Sequence, residues 1–193
     1  MVLALLCLLL GLGALALGPA GTRGATGGGM LPAVFVVLVV LVASGAGDNP
    51  PRINDITTDT ASPPTFVYAL TLPENAGRDM AYPGEEFARQ QRDGYGEIAA
   101  LTLALPPDET FKRVAAAARS TEGWVITRED PAARAVEGYE TSRLFRFKDD
   151  FIIEVRPADG QSVVQMRSKS RDGQGDVGAN AKRIRTFLSR LKE

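Results

Sequence analysis

Between Trp124 and Ser170 the chain reads as four short strand-like runs, WVITRE, AVEGYETSRLFRF, FIIEVRP and SVVQMRSKS, and this stretch limits the fold more than any other. The breaks between them are Asp130-Pro131, Lys148-Asp149-Asp150 and Asp159-Gly160. Phe145 and Phe147 alternate with Arg146, and Phe151, Ile153 and Val155 alternate with Ile152, Glu154 and Arg156. A period of two means a sheet with one buried face. Connections this short leave no room for a crossover, so neighbouring strands must run antiparallel. On this reading Asp149 and Asp150 sit in a β-turn with solvated carboxylates.

Two helices flank the meander. Pro106–Ser120 opens with Pro and Asp, places Phe111, Val114, Ala115 and Ala118 on one face, and is stopped by Gly123. The second follows a glycine turn at Gly173 and Gly175, with Val177, Ala181, Ile184, Phe187, Leu188 and Leu191 at spacings of three and four. Asp176 stands where an N-cap is wanted. Both apolar faces need a surface to bury against, and the sheet is the one available. The expected class is α+β, a two-layer sandwich of an antiparallel sheet of about five strands with two packed helices, in the order β-α-β-β-β-β-α, behind an N-terminal transmembrane region. Ile98–Leu105 is its first strand. Pro83–Arg92 reads as a short exposed helix, and Thr65–Leu72 as a short strand or extended arm.

The transmembrane expectation rests on charge. Met1 to Thr22 and Gly24 to Gly47 contain no charged side chain, and Arg23 alone separates them. Each span matches roughly the twenty apolar residues a membrane helix needs. The organisation read from this is a membrane anchor at 1–47 with hydrophobic segments 2–18 and 30–46, a Pro-rich strap at 48–64, and a soluble α+β domain at 65–193. Either both segments form a transmembrane hairpin, or the first is a signal sequence and the second an anchor. The missing basic n-region argues against a standard signal peptide. Arg23 on the cytoplasmic side places the soluble domain outside the cytoplasm, so the expected location is an inner membrane with the domain beyond it.

Chemistry is narrowed mainly by what is missing. The chain has no histidine, which removes the commonest general base, the commonest metal ligand and every His-containing triad. Its one cysteine, Cys7, lies inside an apolar run, so neither an internal disulfide nor a Cys zinc site is available. No catalytic residue, metal or cofactor is expected, and the reading is a non-enzymatic binding domain; the alternatives are a hydrolase-like enzyme using Asp and Arg residues alone and a structural accessory subunit with no ligand. Ser168-Lys169-Ser170 does not make a nucleophile–base pair, because strand alternation puts the lysine on the opposite face from both hydroxyls.

Charge is uneven along the rest. Asp48 to Met166 carries 13 Lys+Arg against 20 Asp+Glu, whereas Arg167 to Glu193 carries 8 against 3. The basic surplus is too small for duplex nucleic acid. It concentrates at one corner, where the strand tip, the glycine turn and the helix start converge. Helix starts and exposed backbone N–H groups attract anions. The candidate anion site is therefore Arg167, Lys169, Arg171, Gly178, Asn180 and Arg183. The bland alternative is a solvated basic face with salt bridges to the acidic body. The partners expected are membrane lipid through the N-terminal segments and an anionic ligand or a membrane protein.

The motif NDITTD with a following Pro-Pro and Phe66, then Tyr82, Gln90 and Tyr95, then Gly123-Trp124, Phe145, Phe147 and Asp149-Asp150, and above all RSKSRDGQGDVGANAKRIRTFL, resembles the domain-of-unknown-function 1499 family. The resemblance spans about Asn54 to Leu191. It implies a bacterial or plastid domain, often behind hydrophobic N-terminal segments, and no established activity, substrate or cofactor. Gln165, Lys169 and Asp172 depart from the residue types frequent in that family.

Overall fold

The computed structural model describes residues 51–143 and 145–192. The expected membrane segments lie outside the described residues. Among the described residues no helix is long and apolar enough to cross a membrane.

The described chain is an α+β domain built on one open antiparallel sheet of six strands. These are β1 (Asp55–Thr57), β2 (Leu101–Leu103), β3 (Trp124–Asp130), β4 (Ala135–Thr141), β5 (Lys148–Ala158) and β6 (Gln161–Ser170). The order is β1-β6-β5-β4-β3, and β2 also pairs with β6. Three helices accompany it: α1 (Glu85–Tyr95), α2 (Pro107–Arg119) and α3 (Ala179–Lys192). The expectation of about five strands is thus corrected to six, while the short helix expected at Pro83–Arg92 is present as α1 beside the two packed helices. The extra strand comes from the segment expected as a solvated strap. There β1 pairs residue for residue with Thr57 opposite Arg167 and Asp55 opposite Lys169, and Ile53 and Ile56 are buried in the main core.

Helices α2 and α3 cover one face of the sheet. Phe111, Val114, Ala115 and Ala118 of α2 and Ala181, Ile184, Phe187, Leu188 and Leu191 of α3 join Phe151, Ile153, Val164 and Met166 in one cluster. Val177 is a correction: it is 73% exposed, with φ +52°, one residue before the positive-φ Gly178 that leads into α3. Trp124 tilts onto Phe151 at 4.1 Å and stacks on Phe187 at 5.0 Å, tying the sheet to α3. Gly138 on β4 makes this possible. A Cβ there would lie 2.6 Å from Phe151 Cζ and 2.5 Å from the Val125 carbonyl oxygen.

The turn into β5 also differs from expectation. Strand β4 ends at Thr141 and the connection is 142–147, so Phe145 and Phe147 lie in a loop. Asp149 and Asp150 lie within β5 and are buried. Helix α1 is exposed on one side, with Glu86–Arg89 and Glu85–Arg92 pairs. It nonetheless buries Ala88, Gln91 and Tyr95. The Gln91 amide accepts from the Thr57 N–H (3.0 Å) and donates to the Thr57 carbonyl (2.6 Å), closing the free edge of β1 as another strand would.

The second face of the sheet is covered without a long helix. Here 58–82 crosses as irregular chain with two short 3-10 turns, Ala69–Thr71 and Pro73–Asn75, where an arm or strand was expected. Phe66, Ala69 and Met80 pack on Ile152. Backbone groups in such a segment have no ladder, so buried side chains must satisfy them. Glu137 does so for the N–H groups of Val67, Tyr68 and Ala69, at 2.8 to 3.0 Å.

Candidate functional site

The six residues expected as an anion site are divided between the two faces of the sheet, and each of the four basic ones already meets a carboxylate. Arg167 forks onto Asp55, with Nε to Oδ1 at 2.9 Å and Nη2 to Oδ2 at 2.7 Å. It also donates to the carbonyls of Pro64 (3.2 Å) and Met80 (2.9 Å), between the rings of Phe66 and Tyr82. Lys169 Nζ donates to the same Asp55 carboxylate at 3.0 Å. Arg171 chelates Asp150 at 2.9 and 2.6 Å and lies over the Tyr139 ring. All of this is on the face covered by 58–82.

Arg183 lies on the helix face. It donates to Glu140 (2.7 Å), Asp149 (2.7 Å), the Ser168 hydroxyl (2.8 Å) and Asn180 Oδ1 (2.6 Å). Asn180 in turn donates to the Asn54 carbonyl and the Ser170 hydroxyl. The N–H groups of Gly178 and Asn180 donate to Asp176 at 3.0 and 2.7 Å, so the start of α3 holds the chain's own carboxylate.

Electrostatics follow from this packing. Burial raises the Asp176 carboxyl above its usual range, although the two N–H bonds pull the other way. Burial, helped by the charge of Asp55, pushes Tyr82 up to about 12. Burial works against the Arg171 charge, but hydrogen bonds and charge from Asp150 outweigh it and raise its pKa. Ion pairs removed from water in this way add little net stability, yet each is costly to break.

Sequence reasoning missed Glu137 and Glu140, and it favoured a solvated linker for Asp55 over a polar core packed back on the domain, where the structure buries it. Glu137 and Glu140 stand three apart in β4 and so point to opposite faces, and alternation alone names a buried partner for neither. A usable signal was Phe151-Ile152-Ile153, three apolar residues in succession, since apolar residues at both strand phases mean both faces are covered.

A groove of about 350 Å³ opens between α3 and the β3–β5 end of the sheet. Partly exposed Trp124 gives it an aromatic wall, with Phe187 buried behind it in the core, and the Asp149–Arg183–Glu140 cluster borders it. Lys182, Thr186 and Arg190, four residues apart, form its helical wall. Lys182 and Arg190 have no acidic partner among the described residues, and Arg190 donates only to the hydroxyls of Ser120 and Thr121. A second cavity of about 390 Å³ lies on the other face. Its charged groups are all engaged: Arg128 with Asp130, Glu154 with Arg156, and Glu137 with backbone. Among the described residues no cluster of His, Cys, Asp and Glu can hold a metal ion.

Fold and site together define an α+β domain whose sheet carries helices on one face and a polar-stapled loop on the other, with its strand-tip cations neutralised internally. The chain belongs to the family described as protein of unknown function (DUF1499), whose model matches residues 55–191. Among curated proteins none matches it. It is similar to the di-domain ARO/CYC BexL from the BE-7585A biosynthetic pathway (20% identity, TM-score 0.37, 48% of this chain and 43% of that one). It is also similar to Ara h 8.0201 (15% identity, TM-score 0.35, 48% of this chain and 94% of that one). The chain spans under half the length of the first, and likenesses this distant carry no argument about fold or ligand.

Proposed function

We propose that this is a non-enzymatic binding domain, held at a membrane by its N-terminal segments outside the cytoplasm, that takes a small anionic amphiphile in the groove beneath α3. One observation carries the reading: Lys182 and Arg190 stand beside an aromatic lining without an acidic partner among the described residues, while the strand-tip cations are all neutralised. An apolar body would lie on Trp124, with its anionic head toward Lys182 and Arg190. The groove volume of about 350 Å³ falls within the range of small-molecule sites. The uncharged runs before Asp48 support the membrane part of the reading.

Trp124 is the chain's one tryptophan, so its emission reports on the groove directly. Titration with naphthalene-2-sulfonate, a flat body with one anionic head, should quench or shift that emission in the intact protein. Lys182→Glu with Arg190→Glu should weaken binding at least about tenfold, because each charge-assisted contact is worth on the order of 1 kcal/mol. Binding unchanged by both reversals, or equal binding of neutral naphthalene, sinks the proposal. Turnover of a bound ester or phosphate that depends on Asp149 would move the assignment to an enzyme.

A further inference from the structure

The connection between β4 and β5 displays two phenylalanines in solvent. Phe145 is 68% and Phe147 51% exposed, and their rings stack at 5.6 Å. The display is braced. The Ser142 N–H donates to the Phe147 carbonyl (2.8 Å), the Phe147 N–H donates to the Ser142 hydroxyl (2.9 Å), and the Arg146 N–H donates to the Ser142 carbonyl (3.2 Å). Arg146 has φ +58°, a strained conformation for a long side chain.

The sequence of this loop, Ser-Arg-Leu-Phe-Arg-Phe, contains no acid and two arginines. Arg146 has no acidic partner among the described residues. Arg143 meets only Glu122 at 3.0 Å, both side chains being almost fully exposed, a pairing that solvent screens heavily. Aromatic rings and arginines on one braced turn suit the boundary between water and anionic lipid. The rings enter the headgroup layer, and the planar guanidiniums bind lipid phosphates. A second copy of the chain is a poorer occupant, because two rings fall far short of the area a stable protein interface buries. A bilayer is the partner this chain is equipped to reach, given its uncharged apolar runs at 2–18 and 30–46.

We propose that Arg143, Phe145, Arg146 and Phe147 dock the domain on an anionic bilayer surface, with the two phenylalanines in the headgroup layer and the two arginines on lipid phosphates. One such loop is a weak anchor alone, so its role is to orient a domain that is already tethered. Ser142 and Glu122 also line the groove beneath α3, so docking would bring that opening to the lipid layer. The proposal rests on the loop and on the membrane tether proposed above, and holds whether or not the groove binds a ligand.

The test uses the full chain with Cys7→Ala, reconstituted in nanodiscs of phosphatidylcholine with or without phosphatidylglycerol. A nitrobenzoxadiazole label is placed at Phe147→Cys, at Phe145→Cys in a second variant, and at Glu109→Cys on the exposed side of α2 as a reference. In anionic discs, brominated lipid should quench the loop labels at least about fivefold more than the reference label. Arg143→Gln and Arg146→Gln should each lower the docked fraction roughly fivefold, and raised salt should act in the same direction. Equal quenching at loop and reference, or loop quenching indifferent to lipid charge and to both arginines, overturns the proposal. So does protection of the loop labels that rises with protein concentration without lipid, which would assign the loop to a second copy. Naphthalene-2-sulfonate binding measured on the same variants tests the groove separately.

Discussion

If the strand-tip cations are structural, removing Asp55 should unfold the domain far more than it changes any surface property. Asp55 is wholly buried, and the Arg167 side chain is 2% exposed. Asp55→Asn leaves Arg167 and Lys169 side by side in that interior with no carboxylate between them. Two unit charges 4 Å apart interact by about 4 kcal/mol at an effective dielectric near 20. Breaking a buried pair by removing one partner typically costs about 3–5 kcal/mol. We expect Asp55→Asn to destabilise by about 4 kcal/mol, a large part of the roughly 5–15 kcal/mol that a domain has in total. That loss should lower the unfolding midpoint by on the order of 10–15 °C.

The assay is thermal unfolding of the full chain in mild detergent, followed by Trp124 emission, since Trp124 sits between Phe151 and Phe187. A second variant separates pairing from packing. Asp55→Leu with Arg167→Met and Lys169→Met removes all three charges together, and should lie closer to the natural protein than Asp55→Asn does. The Pro64 and Met80 carbonyls would still lose the Arg167 donor, so recovery should be incomplete. A cost below about 1 kcal/mol for Asp55→Asn, the range of an exposed pair, would refute the reasoning.

Two further outcomes follow from the same packing. Burial raises the Asp176 carboxyl, so between its ordinary pKa near 3.8 and its higher folded value the native state binds more protons than the unfolded chain, and this group's contribution to stability falls as pH rises through that window. The stability of the natural protein relative to Asp176→Asn, measured by urea unfolding, should therefore increase as pH is lowered through the window, and a flat or decreasing difference would contradict the assignment. Gly138→Ala should destabilise by about 1–3 kcal/mol through overpacking, because its Cβ would press on the Phe151 ring and on the backbone of β3. Thermal unfolding checks this, and an unchanged midpoint would mean that Trp124 and Phe151 do not require the empty space.

Much of the helix-covered half was legible from periodicity. The buried faces of α2 and α3 contain nearly all the residues expected, since an amphipathic stripe reports burial locally. The sheet's turns were less legible for a tertiary reason. Asp149-Asp150 looks like a turn and Phe145-Arg146-Phe147 looks like a strand, yet the acids are in β5 and the rings are in water. Two adjacent carboxylates can sit in a buried strand only because Arg183 reaches one face of it and Arg171 the other, both from elsewhere in the sequence. The same holds for β1. Its proline-flanked, polar sequence resembles a linker until Arg167 and Lys169 supply the charge that lets Asp55 be buried. Of the anion-site residues, the convergence of Asn180 with Arg183 was legible. Their separation from Arg167, Lys169 and Arg171 by the thickness of the sheet was not.

The irregular cover over the second face explains where Arg167, Lys169 and Arg171 of the basic corner go. A segment such as 58–82 reaches a sheet without a ladder of its own, so its carbonyls need donors and its N–H groups need acceptors from side chains beneath. Arg167 supplies donors to Pro64 and Met80, and Glu137 accepts from three successive N–H groups. A buried arginine used this way needs a carboxylate, which accounts for Asp55. Among the other cations, Lys182 and Arg190 on the wall of the groove and Arg143 and Arg146 on the loop beside it have no buried carboxylate partner among the described residues. They flank the opening at which Ser142 and Glu122 meet the groove, so recognition of an anion at this end of the molecule would not require opening any buried ion pair.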